Sequence, residues 1–191
     1  MKALEEKIMR EGRVLPGNVL KVDTFLNHRI DTPFLMQMGE DIAEHFKSHG
    51  INKVLTVEAS GIAIAVAAAS KLNVPVVFAK KHKTTNISDN VYSAAVKSFT
   101  HQTTYTIVVS REVISKDDNI LIVDDFLANG NALTGLKQIA ESAGAKVAGA
   151  AIAVEKGFQH GGDMLRDNGM EIYSLATVES MNSDKGEIVF R

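Results

Sequence analysis

Two adjacent carboxylates, Asp124 and Asp125, follow an apolar run and precede a Gly/Asn turn in the stretch 121–136, "LIVDDFLANGNALTGL". Carboxylates at a strand end are costly to bury unless a cation or hydroxyl groups need them. A short Gly/Asn turn opening a helix is a backbone device for holding a phosphate. Together the two features point to a ligand carrying a sugar, a phosphate and a metal ion. With the strand ending near Asp124, both carboxylates stand at the sheet's upper edge. There they can accept from vicinal hydroxyls or help hold Mg²⁺ through water. The N–H groups of Ala128, Asn129, Gly130, Asn131 and Ala132 then face a phosphate at the N-terminus of a helix beginning near Asn131. The plainer alternative is a surface loop at Asp124 and Asp125, followed by a tight turn at Asn129 and Gly130.

The rest of the composition narrows the ligand class. The 191 residues suffice for one α/β domain spanning 1–191, and a second would be cramped. With 21 basic against 23 acidic residues the net charge is -2, so nothing global favours nucleic acid or an anionic membrane. The longest apolar stretch, "GIAIAVAAAS" at 61–70, is half of the roughly 20 residues a membrane helix needs. The N-terminus has acidic residues early and no apolar core of signal-peptide length, and cysteine is absent. A soluble, cytoplasmic chain is expected, in a compartment free to be reducing. The six histidines are scattered without metal-ligand spacing, and neither a G-x-S-x-G nor a G-x-x-x-x-G-K-[ST] motif occurs. That argues against a transition-metal centre and a serine hydrolase.

The elements that must position these groups follow from periodicity. Leu35, Met38, Ile42 and Phe46 recur at helical spacing behind Pro33, predicting a helix over 34–48. A strand over 53–58, a helix over 62–72 and a strand over 74–80 form a βαβ unit, which implies parallel strands and a right-handed crossover. Residues 81–118 are polar and rich in Thr and Ser, with strand-like alternation around 104–109; they read as a long loop or an antiparallel excursion. The rhythm resumes with a strand over 119–124, a helix over 131–143, a strand over 146–155, a short helix near 160–168 and a strand near 171–178. The expected architecture is a doubly wound, mostly parallel α/β sheet with helices on both faces. Ligands in such sheets sit beyond the carboxyl ends of the strands, here Glu58 to Gly61, Asp124 to Ala132 and Glu155 to Phe158.

These residues resemble the type I phosphoribosyltransferases, and among them the xanthine-using bacterial branch. The resemblance rests on "FLNHRID" (25–31), "VEASGIAIA" (57–65), "VVFAKKHK" (76–83), "DDFLANGNA" (124–132) and "VEKGFQ" (154–159), and covers essentially the whole chain. Asn129, Asn131 and Ala132 depart from the Thr, Gly and hydroxyl residue common in the broader family; backbone N–H groups need no particular side chain.

The resemblance implies a small N-terminal hood over the base from residues 1–33 and a lid from the long flexible loop at 81–118. It implies phosphoribosyl transfer from 5-phosphoribosyl 1-diphosphate to xanthine, with Mg²⁺ carried by the substrate and no metal ligand assigned to the protein. Asp124 and Asp125 become the catalytic pair, and Ala128 to Ala132 the 5′-phosphate cradle. Glu58, Ala59, Ser60 and Gly61 would meet the diphosphate; the alternative is a plain turn in which Ser60 caps the helix. Lys81 and Lys83 join them, against the plainer reading of "KKHK" as a solvated face. Lys156 and Phe158, with Leu20 through its backbone and Asn27, become base contacts. A homodimer is a family expectation. The rivals are the same transfer to guanine, hypoxanthine or adenine, and a non-catalytic regulator that binds phosphoribosyl diphosphate. The net charge and the few residues before the first long helix speak against that regulator.

Overall fold

A computed structural model describes residues 1–82, 90–97 and 104–191. The chain opens with helix α1 (Lys2–Glu11), a two-stranded hairpin of β1 (Arg13–Leu15) and β2 (Val19–Lys21), and a π-helical turn (Asp23–Asn27). There follow α2 (Thr32–Phe46), β3 (Lys53–Val57), α3 (Ser60–Leu72), β4 (Val76–His82), β5 (Val91–Lys97) and β6 (Thr104–Ser110). The last part holds β7 (Asn119–Leu127), α4 (Asn131–Ser142), β8 (Lys146–Lys156), a 3-10 turn (Gly157–Gln159), α5 (Gly161–Asp167), β9 (Ile172–Asn182) and β10 (Glu187–Phe190).

Eight strands form one sheet in the order β10-β9-β8-β7-β3-β4-β6-β5. The five from β9 to β4 are parallel, while β10, β6 and β5 add antiparallel edges. Leu4, Ile8, Met38, Ile42, Phe46, and the alanines of α3 pack one face, against Val54, Leu121 and Val123. Leu133, Leu136 and Ile139 of α4 and Leu165 of α5 pack the other, against Leu55, Ile120 and Ile122. Strands buried on both faces read as near-continuous apolar runs, as β7 and β8 do. After β3 the chain steps to β4, then returns as β7 on the opposite side of β3. That reversal opens a crevice at the carboxyl ends of β3 and β7, the position where doubly wound sheets take ligands.

The expected helices and strands between α2 and β9 are found, with shifted ends. One shift matters to the site: β7 does not stop near Asp124 but continues to Leu127. Its ladder with β8 pairs Asp124 with Ile152 and Phe126 with Val154, so the carboxylates belong to a buried strand rather than a loop. The described part of 81–118 is the antiparallel excursion, since β5 and β6 pair over seven residues each and extend the sheet beyond β4. Lys83 and the rest of 83–89 and 98–103 lie outside the described residues.

The N-terminal elements had no legible signature. Helix α1 shows only Leu4 and Ile8 as a buried apolar pair, and its anchor is polar: Lys7 bonds Asp31 at 2.8 Å and lies 5.4 and 5.1 Å from the Phe25 and Phe34 rings. Asp31 in turn caps α2 by accepting from the Phe34 N–H at 3.2 Å. One buried ammonium thus fastens α1, the π turn and α2 together.

Helices α2 and α3 cross at Gly39, where an added Cβ would lie 2.5 Å from the Ala67 carbonyl carbon and 2.7 Å from the Ala67 Cβ. The obstacle is backbone, so the helices would have to separate. Gly39→Ala is expected to lower the unfolding free energy by about 1–3 kcal/mol, read from urea denaturation, with no change in slope.

Candidate active site

Asp124 and Asp125 are 5% and 8% exposed at the carboxyl end of β7. The Asp125 N–H donates to Asp124 Oδ1 at 3.0 Å. Burial above all, then the neighbouring Asp125 charge, pushes the Asp124 carboxyl well above the ordinary carboxylate range, and Lys81 only partly offsets this. Burial and then Asp124 likewise raise the Tyr105 phenol, which approaches the site from β6. A pair so arranged invites a cation or hydroxyl donors from a ligand. Among the described residues no three His, Cys, Asp or Glu side chains converge on a metal position. Two carboxylates without imidazole or thiolate fit a hard, hydrated ion such as Mg²⁺, which takes most of its ligands from water and a diphosphate.

Beyond β7 the chain turns into α4 through Ala128, Asn129 and Gly130. Among the described residues the N–H groups of these three donate to no backbone carbonyl. Those of Asn131 and Ala132 open a helix whose N-cap offers no side-chain bond. Five N–H groups therefore gather at the positive end of α4, a ready anion site. Gly130 adopts φ 80°, where an L side chain is strained, and a Cβ there would lie 3.0 Å from Leu165 Cδ1. The Asn131 amide donates to the Lys97 carbonyl at 3.0 Å, tying the turn to β5.

The turn rests on α5. A Cβ on Gly161 would lie 2.1 Å from the Ala128 carbonyl oxygen, and one on Gly162 would lie 1.9 Å from Glu155 Oε1. Glu155, 1% exposed, accepts both guanidinium arms of Arg166 at 2.8 and 2.7 Å and the Ser174 hydroxyl. Burial raises the Glu155 carboxyl, but Arg166 and Ser174 outweigh it and hold it below its ordinary range.

On the other side of the crevice, Glu58 to Gly61 link β3 to α3, with a cis peptide between Glu58 and Ala59. The Glu58 N–H donates to the Ala79 carbonyl at 3.0 Å, and its carboxylate accepts from the Lys81 N–H at 2.7 Å. Glu58 is thus occupied in bracing this loop against β4, leaving Ala59, Ser60 and Gly61 to present N–H groups. The Ser60 capping alternative is not seen: Ala59 is the N-cap and no side chain bonds there. Lys81 is exposed at the mouth, its ammonium 5.5 Å from the Tyr105 ring.

The β1–β2 hairpin borders the third side. Lys156, at the end of β8, donates to the Asn18 carbonyl of the β1–β2 turn at 2.8 Å and lies 5.6 Å from the Phe126 ring. Burial lowers the Lys156 ammonium from its ordinary value. Leu20, Phe126 and Phe158 join the same apolar cluster, with Leu20 buried. Asn27 ends the π turn with its side chain exposed.

The Asp124–Asp125 pair, the turn into α4, the β3–α3 junction and the β1–β2 hairpin thus border one crevice. The phosphoribosyl transferase domain model matches residues 30–168. The chain belongs to the phosphoribosyl transferase family. Its fold is the type I phosphoribosyltransferase fold. The xanthine phosphoribosyltransferase of Bifidobacterium adolescentis is 53% identical over 192 residues, covering 100% of both chains. That of Limosilactobacillus reuteri is 49% identical over 189 residues, covering 99% of each. Among solved structures, an APRTase from Giardia lamblia complexed with 9-deazaadenine superposes with a TM-score of 0.79 at 19% identity, covering 93% of this chain and 98% of that one. At that identity the likeness concerns the fold alone.

Sequence reasoning missed the layer beneath the phosphoribosyltransferase crevice. Arg166 and the Gly161–Gly162 pair lie on α5 and Ser174 on β9, away from Glu155 on β8, and only the "GG" doublet offers a signal. Because the folded state holds Glu155 below its ordinary value of 4.5, its contribution is complete above that value and is lost as pH falls through the lowered one. Arg166→Met is expected to cost about 3 kcal/mol near neutral pH. The difference from wild type should shrink on acidification below 4.5, measured by urea titration across pH.

Proposed function

We propose that the protein transfers the 5-phosphoribosyl group of 5-phosphoribosyl 1-diphosphate to N9 of xanthine, giving xanthosine 5′-monophosphate and diphosphate. The full-length identity to relatives named xanthine phosphoribosyltransferase carries this reading. The chemistry is a substitution at the anomeric carbon in which positive charge builds on the sugar as diphosphate departs. Positioning and charge stabilisation are then the protein's main tasks.

In this reading Asp124 and Asp125 accept from the ribose hydroxyls and favour the cationic sugar. The N–H groups of Ala128 to Ala132 hold the 5′-phosphate. Those of Ala59 to Gly61 and the exposed Lys81 meet the diphosphate. Mg²⁺ would be held by substrate oxygens and by waters reaching Asp124 and Asp125; when bound it neutralises the leaving group. Lys156 spends one of its three donors on Asn18, leaving two for a base oxygen. Xanthine carries carbonyl oxygens at both C2 and C6, which suit a cation better than adenine's amino group. Phe158 and the Leu20 backbone would line the ring, with Asn27 at its edge, under a hood formed by residues 1–33. The 81–118 excursion would act as the lid that keeps water from the sugar.

The activity belongs in the cytoplasm, whose reducing conditions suit a chain without cysteine. The working unit is a homodimer. Strand β6 alternates buried Ile107 and Val109 with a half-covered opposite row, and Val76, Phe78, Val108 and Val113 line a groove of about 380 Å³. Phe78 is 41% exposed there, an apolar surface that a second copy would cover.

Initial rates with phosphoribosyl diphosphate and Mg²⁺ should favour xanthine over hypoxanthine, guanine and adenine. The double variant Asp124→Asn/Asp125→Asn should fold but lose at least about 100-fold in kcat. Preference for another purine would overturn the base assignment, and full activity in the double variant would remove the role of the carboxylates. Light scattering should report a dimer for the wild type and a monomer for Phe78→Glu; a monomeric wild type removes the dimer.

A further inference from the structure

Thr56 is the penultimate residue of β3, 0% exposed, and its Oγ1 finds no hydrogen-bond partner among the described residues. Its strand neighbours Val54, Leu55 and Val57 are all buried and apolar. Valine would have the same shape there without an orphan hydroxyl, and an unpaired buried donor costs stability. The hydroxyl's surroundings point to a use. A Cβ built on Gly61 would lie 2.2 Å from Thr56 Oγ1 and 2.9 Å from Asp124 Oδ1, so both oxygens converge on one point at the start of α3. Asp124 Oδ1 accepts only the Asp125 N–H at 3.0 Å among the described residues, well short of a carboxylate's capacity.

We propose that Thr56 is a positioning residue for Asp124, its hydroxyl donating to the Asp124 carboxylate while the sugar phosphate is bound. The proposal rests on the phosphoribosyl transfer argued above. As charge builds on the sugar, Asp124 must be held by donors that do not depart with the products. A hydroxyl rotor needs only a turn about its C–O bond and a small side-chain shift to supply one. The bond would also couple the diphosphate loop to the carboxylate pair, because Gly61 packs against both partners. This explains the glycine at the second position of α3: a Cβ there would press on Thr56 Oγ1 and Asp124 Oδ1.

The test compares Thr56→Val, Thr56→Ala and Thr56→Ser with wild type by kcat, by KM for xanthine and for phosphoribosyl diphosphate, and by thermal midpoint. Loss of a hydrogen bond to a charged group predicts a kcat lower by roughly 10- to 100-fold in the Val and Ala variants. Their KM for xanthine should be unchanged, and the Ser variant should restore most of kcat. The Val variant should melt no lower than wild type. Wild-type kcat in the Val or Ala variant overturns the proposal. So does a Ser variant as slow as Ala, which would assign the role to the methyl group. Failure of both Val and Ala to fold would assign the hydroxyl to stability instead. No nucleotide from the wild-type chain with any purine would remove the transfer reading itself, and the proposal with it.

Discussion

Two adjacent carboxylates in the carboxyl-terminal half of a buried parallel strand are the constraint around which the molecule is arranged. Placed in the middle of β7 they would be untenable, because no cation of the fold reaches them there. Placed at the β3–β7 reversal they stand where strand order opens a crevice and where two helix N-termini, of α3 and α4, point their unpaired N–H groups. Positive helix ends favour anions near them and stabilise the carboxylates only weakly across the gap. The Asp124 carboxyl is accordingly pushed up by burial. The site is therefore electrostatically incomplete in the direction of positive charge at its centre and of negative charge at its flanks. A sugar that becomes cationic between two phosphate groups has that pattern.

The second layer is rigid where the first is open. The turn from β7 into α4 carries no side-chain hydroxyl at Asn129, Asn131 or Ala132. Its shape must then be fixed from below. Gly161 lets α5 touch the Ala128 carbonyl, Gly162 lets it touch Glu155, and the two-armed Arg166 bond fixes the end of β8 at the same height. A bidentate guanidinium defines direction as well as distance. Lys156 follows Glu155 directly, so the bond that steadies the turn also steadies the candidate base contact.

How much of this was legible depends on whether the signal was local. The βαβ rhythm, the apolar spacing of α2 behind Pro33 and the glycine turn into α4 are patterns within a few residues, and they read correctly. The end of β7 did not, because aspartate pairs disfavour strands by propensity, and only pairing with the apolar Ile152–Val154 stretch of β8 overrides that. Glu58 was read as a diphosphate contact together with Ala59 to Gly61; that its N–H and carboxylate are both engaged with β4 is a relation across 21 and 23 residues of sequence. The anchoring of the N-terminal elements was invisible for a similar reason. Lys7 looks like one more charge on a short polar helix until Asp31, Phe25 and Phe34 are brought around it.

The opposite end of the sheet shows what the active end gives up. There His45 of α2 and His49 just beyond that helix both bond Glu171, His45 stacks on Tyr173 with ring centroids 3.9 Å apart, and the Tyr173 hydroxyl donates to Asp41. Burial and then Asp41 push that phenol up to about 12, so it stays a neutral donor at any ordinary pH. This knot joins α2 to the amino end of β9 and satisfies nearly all of its polar groups within the chain. At the carboxyl ends the balance is reversed: N–H groups, carboxylates and a buried threonine hydroxyl are left with unused capacity. A polar group held without a partner weakens the fold, and one already oriented needs little reorganisation when charge develops beside it. The paired end supplies the rigidity that lets the unpaired end remain in place.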